Sequence, residues 1–112
     1  DLAALKETSR GSNSFVIKMV NLFIAQTPQH LAAIEESYRN SDYKRMAATA
    51  HKLKPSIDNM GIVSLKDTIR DVERLGKEDV DNDLFPDLIT KLSKTMNQVL
   101  ESLQNEFAVA GN

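Results

Sequence analysis

Residues 42–61 read DYKRMAATAHKLKPSIDNMG. Advancing about 100° per residue gathers Met46, Ala50, Leu53, Ile57 and Met60 on one side, the apolar stripe of an amphipathic helix running from about Asp42 to Met60. Gly61 ends it. His51 falls roughly 140° from the middle of that stripe on the same rotation, so it is expected to point at solvent. Its neighbours on that outer face are Lys44, Ala47, Ala48, Lys54, Pro55 and Asp58. Two alanines stand one turn before the histidine, where an exposed helix face would ordinarily carry long polar side chains. Their small size leaves the imidazole open to another macromolecule. Lys54 lies one turn after it, close enough to reach an anion held on the ring. An exposed neutral imidazole offers one nitrogen lone pair to an electrophile.

The same period recurs on either side, and no period-2 alternation is evident. A short opening helix is expected from about Leu2 to Ser9, stopping near Gly11. Ser12 or Ser14 can cap the next helix, which carries Val16, Val20, Phe23, Ile24, Leu31, Ile34 and Tyr38 on one stripe. Pro28 sits inside it and predicts a kink or brief break near Gln26 and Thr27. Asn40 and Ser41 make a tight connection, which implies antiparallel neighbours. Beyond Gly61, Ser64 and Asp67 read as a capping box for a helix bearing Leu65, Ile69, Val72 and Leu75, stopping at Gly76. A polar loop follows over residues 77–82. Asp83 is expected to cap a last helix bearing Leu84, Leu88, Leu92, Met96, Val99, Leu103 and Phe107, with Pro86 in its first turn. The expected fold is all-α: an antiparallel up-down-up-down four-helix bundle with a short N-terminal capping helix.

The chain has 112 residues, 41% hydrophobic and 27% charged, so a single globular domain over 1–112 is expected. A formal net charge of -2 gives no reason to expect nucleic acid or an anionic membrane as partner. The most apolar run, around Phe15 to Ala25, is interrupted by Lys18 and Asn21, so no membrane contact is expected of it. Cysteine is absent, which removes disulfides, thiolate metal sites and a cysteine nucleophile.

Other chemistries fit less well. Metal binding needs converging ligands, and the second histidine, His30, sits on a different helix, where a surface or bundle-edge position is expected. Glu35 and Glu36 are adjacent and point in different directions, so they read as a solvated face and not an acid/base pair. No glycine-rich phosphate loop occurs, so no autonomous kinase activity is expected. Geometry leaves two readings of His51 open: an ordinary solvated residue, or a nucleophile whose electrophile is unspecified.

The run Ala50-His51-Lys52-Leu53-Lys54-Pro55-Ser56, followed by Gly61, resembles the signature of histidine-containing phosphotransfer (HPt) domains. In that signature an alanine precedes the active histidine, and Leu, Lys and Gly-Ser follow it. Leu2, Leu5, Phe15, Phe23 and Pro28 also resemble the family's first segments, and together the likeness covers roughly residues 1–76. Pro55 departs from the pattern, standing where glycine is commonest. It has no N–H for the His51 carbonyl, and a local bend is expected.

The resemblance implies that His51 is the phosphoacceptor of a multistep two-component phosphorelay, taking a phosphoryl group from one receiver-domain aspartate and passing it to another. Lys54 would offset the added charge, with Lys52 or Lys44 as weaker helpers. Leu22, Lys44, Ala47, Ala48, Lys52, Pro55 and Asp58 are the residues expected to meet a response-regulator receiver. The chain itself would bind no metal or other cofactor, and Mg²⁺ is expected in the receiver. The domain is expected to be a cytoplasmic monomer, excised from a longer multidomain sensor kinase that can itself be membrane-anchored, with a hybrid histidine kinase as a partner in cis. Two alternatives accompany this reading. One is a non-catalytic receiver-binding module that has lost phosphoryl exchange, favoured by Pro55. The other is the dimerisation and phosphoacceptor hairpin of a histidine kinase, disfavoured by four helices in one chain.

Overall fold

The helix bearing His51 has clear physical limits at both ends. Asp42 sits outside helical geometry, and its side chain accepts a hydrogen bond from the Arg45 N–H at 3.2 Å, an N-cap. At the other end Gly61 adopts φ 68, a left-handed conformation suited to glycine. The Gly61 N–H then reaches the Asp58 carbonyl at 3.2 Å and the Ile62 N–H reaches Ile57 at 3.1 Å. That pair of bonds is a Schellman stop, and buried Ile62 supplies its apolar contact.

The computed structural model describes residues 13–110, with side chains over 14–106. Four α-helices run in order: α1 (Asn13–Arg39), α2 (Tyr43–Asn59), α3 (Lys66–Gly76) and α4 (Phe85–Ala110), with a 3₁₀ turn at Val63–Leu65 before α3. The described residues contain no strand. The opening helix expected over 2–9 lies outside them, as does the Phe107 side chain. Among the described residues, no helix is long and apolar enough to cross a membrane.

α2 packs most extensively on α3 and next on α1, while α4 closes against α3 and α1. The core receives the expected α2 stripe entire: Met46, Ala50, Leu53, Ile57 and Met60 are buried. Val20 and Ile34 from α1, Leu65, Ile69 and Val72 around α3, and Leu92 and Met96 from α4 meet it there.

Several local expectations are corrected. α1 is unbroken through Pro28. Proline removes the donor for the Ile24 carbonyl, but Thr27 and Leu31 on either side are buried, and that packing holds the helix together. α2 is likewise continuous through Pro55. The Ser64 and Asp67 capping box is absent: the chain enters α3 through the 3₁₀ turn, and Leu65 stands at the N-cap with no side-chain bond. Asn82, not Asp83, makes the side-chain bond before α4, accepting from the Leu84 N–H at 2.9 Å.

Leu84 is 56% exposed, and the neighbouring Phe85 takes the core position. It stacks on Tyr43, with ring centroids 5.5 Å apart, and meets Tyr38 edge-on at 5.9 Å. From Phe85 the buried stripe continues as Ile89, Leu92, Met96, Leu100 and Leu103; Leu92, Met96 and Leu103 are as expected, while Leu88 and Val99 are only partly buried against the core.

α3 stops at Gly76, as expected. The glycine also has a second role, proximity to α2. A Cβ there would lie 2.9 Å from the Ala47 Cβ and 2.9 Å from the Tyr43 carbonyl oxygen. The absence of a side chain lets α3 approach α2 closely at this point.

Candidate functional site

That close approach begins a seam between α2 and α3. On α2, Ala47, His51, Lys54 and Asp58 recur at helical spacing along one ridge. On α3, Gly76, Glu73 and Arg70 run the opposite way. Ala47 meets Gly76, His51 and Lys54 both meet Glu73, and Asp58 meets Arg70. The face that periodicity assigned to open solvent is therefore the edge of a helix–helix contact.

Glu73 organises the middle of the seam. Its side chain is only 8% exposed, yet it carries a carboxylate. Oε2 lies 2.6 Å from His51 Nδ1, and Oε1 accepts from Lys54 Nζ at 2.8 Å. Lys77 Nζ, one turn further along the chain at the C-cap of α3, stands 3.5 Å from Oε2. The Lys54 ammonium foremost, with His51 adding a second bond, holds the Glu73 carboxyl down at about 2 against the opposing effect of burial.

The tautomer of His51 follows. An ionised carboxylate can only accept, so Nδ1 carries the hydrogen and donates it. In the neutral ring Nε2 then holds the lone pair. The His51 side chain is 67% exposed, which leaves that nitrogen on the solvent side. The arrangement is that of a carboxylate–histidine pair, in which the acid fixes the ring's tautomer and orientation and offsets positive charge that builds on it.

The other expected site residues divide into groups. Lys44, Ala48 and Lys52 are exposed around a shallow recess that also contains His51 and Lys77. Ala47 lines the same recess but is buried, because its methyl faces Gly76; its small size serves the helix contact as much as access to the ring. Lys54 is turned toward Glu73 and is 28% exposed. Lys44 pairs with Asp79 at 3.8 Å. Asp58 is joined to Arg70 by two bonds, at 2.8 and 3.3 Å, and the guanidinium lowers the pKa of its carboxyl. Pro55 is exposed on the next turn.

Leu22 is 44% exposed, as expected, but it lines a different groove, between α1 and the far end of α2, with Ser56, Asn59 and Met60. His30 is half-buried in that groove. Glu35 accepts from Ser93 at 2.6 Å and Glu36 faces Arg45 at 3.9 Å, so the adjacent acids serve separate contacts. Among the described residues no cluster of three or more acidic, histidine or cysteine side chains could hold a metal.

The family model described as Hpt domain matches residues 18–106, most of the chain. The chain belongs to the Hpt domain family. Searches of curated proteins and of solved structures return no match. An Hpt domain takes part in phosphorelay phosphotransfer, and Hpt domains interact with receiver domains.

Sequence reading missed two residues of this Hpt domain, Glu73 and Lys77. A signal for the first was present. Counting from Ile69 and Val72, Glu73 falls on the apolar stripe of α3, ahead of Gly76. A lone carboxylate on a core stripe requires partners of opposite charge. Only the fold reveals that those partners come from α2.

Proposed function

We propose that this Hpt domain accepts a phosphoryl group on His51 Nε2 from a receiver-domain aspartate and passes it to the aspartate of a second receiver. The observation that carries the reading is the 2.6 Å contact of Nδ1 with an ionised, nearly buried Glu73 beneath an exposed ring. In the forward step the Nε2 lone pair attacks phosphorus in line. The N–P bond forms as the P–O bond to the receiver carboxylate breaks, and that carboxylate leaves with the electron pair. Nδ1 keeps its hydrogen throughout, so the ring becomes cationic, and Glu73 offsets that charge. No proton has to move. The receiver supplies Mg²⁺, and the domain contributes orientation and charge. The reverse sequence delivers the group onward.

The docking face in this reading centres on His51, with Ala48, Lys52, Lys44 and Pro55 around it. Leu22 is an outlying apolar contact, and Asp58 acts through Arg70. The reading also carries an up-down-up-down order, supported by the groove that Leu22, from the first half of α1, lines together with Asn59 and Met60 at the end of α2. A monomeric cytoplasmic domain, in cis to a hybrid kinase, completes it.

The test is incubation with an acetyl-phosphate-charged receiver and mapping of acid-labile phosphate. Wild type is expected to label at His51, and His51→Gln is expected to stay helical and unlabelled. Labelling that persists in the variant would sink the proposal. Stable receiver binding without exchange would instead select a binding module, the reading that Pro55 favours. Leu22→Glu is expected to weaken receiver affinity severalfold, and unchanged affinity removes Leu22 from the interface.

A further inference from the structure

Four lysines stand near His51, and their surroundings separate them. Lys54 Nζ sits 2.8 Å from Glu73 Oε1, and Lys54 is the least exposed of the four. Drawing it away would strip a nearly buried carboxylate of its closest cation. Lys44 is paired with Asp79. Lys52 follows His51 directly, so it points about 100° away around the helix, and no carboxylate ties it to the ring. Lys77 is different. It is 69% exposed, it lines the recess of His51, and its contact with Glu73 is the loosest, at 3.5 Å. That contact is also to Oε2, the oxygen that holds His51 Nδ1.

Loading His51 with a phosphoryl group changes this balance in two ways. The ring becomes cationic, so its Nδ1–H binds Oε2 more strongly and repels a second cation at the same oxygen. Meanwhile up to two negative charges arrive on the far side of the ring, the second ionising near pH 6. A flexible four-carbon arm with a point charge can follow that change.

We infer that Lys77 is the phosphoryl-sensing cation of this site: it leaves Glu73 Oε2 when His51 is loaded and contacts the phosphoryl oxygens, while Lys54 stays on Glu73. The inference rests on His51 being the phosphorylated residue.

The test loads the full chain chemically, in a His30→Gln background so that His51 is the only histidine, using potassium phosphoramidate. ³¹P NMR then follows the second ionisation of the phosphoryl group. A cation in contact favours the dianion. Lys77→Met is therefore expected to raise that ionisation by roughly half a unit, Lys77→Arg to restore it, and Lys54→Met to move it less. An unshifted Lys77→Met, or a larger shift in Lys54→Met, overturns the assignment. Chemical loading needs no receiver, so the two proposals fail separately. A shift in Lys77→Met without receiver exchange supports the lysine and refutes the relay; exchange without a shift does the reverse.

Discussion

Replacing Glu73 with glutamine keeps the length of the side chain and one oxygen but removes the charge. The carboxylate makes two short bonds, 2.6 Å from His51 Nδ1 and 2.8 Å from Lys54 Nζ. Bonds to a charged group contribute about 1.5–3 kcal/mol, roughly twice a neutral pair. The interaction with Nδ1 strengthens as the ring becomes cationic, so about half of one such bond, roughly 0.8–1.5 kcal/mol, is lost from the transition state. That corresponds to transfer roughly four- to tenfold slower. A second loss adds to it. The amide can turn and donate to Nδ1, which would place the ring hydrogen on Nε2 and block attack. Stability falls as well, by about 1–2 kcal/mol, because Lys54 is half-buried and loses its counter-charge. The assay is rapid-quench transfer of labelled phosphate from a charged receiver, with urea unfolding of the same samples. A folded Glu73→Gln domain transferring within twofold of wild type would refute the mechanism.

Two further outcomes follow from the same seam. Gly76→Ala is expected to cost about 1–3 kcal/mol in chemical unfolding, because the new methyl meets Ala47 and the Tyr43 carbonyl at 2.9 Å and must push the helices apart; an unchanged midpoint would show that the gap is larger than described. The Glu73 carboxyl is depressed from its ordinary 4.5 to about 2, so its contribution is full above about pH 4.5 and is lost as pH falls through 2. The whole shift would correspond to about 3 kcal/mol, reduced to about 1–2 by solvent around the exposed His51 and Lys77. Asp58 titrates in the same acid range, so wild type is compared with Glu73→Gln: the two stability curves should converge below pH 4.5, and parallel curves would contradict the assignment.

The α2 helix was legible in nearly every respect because its signals are local. Its stripe, its limits at Asp42 and Gly61, and the exposure of His51 follow from residues within one segment. The errors arose where a distant element decides. Ala47 looked like open surface because nothing near it in sequence announces Gly76. Lys54 looked free because its partner is on another helix. Leu84 and Phe85 are equally apolar, and the aromatic pocket formed by Tyr38 and Tyr43 decides which one enters the core. Pro28 suggested a kink or brief break, and the break is absent because the buried Thr27 and Leu31 hold the helix on either side. The role proposed for His51 came from resemblance alone, since periodicity supplies exposure but not a carboxylate beneath the ring.

The meeting of Ala47 and Gly76 acts as a mechanical gauge for the proposed reaction. It lies one turn from His51 on one helix and one turn from Glu73 on the other, and it consists almost wholly of backbone and a single methyl. The reach between the His51 ring and the Glu73 carboxylate is thus held by two residues that carry no charge. A hydrogen bond of 2.6 Å tolerates little widening before it weakens. Drift to a larger residue at either position would therefore register as slow transfer while every reactive group remained in place.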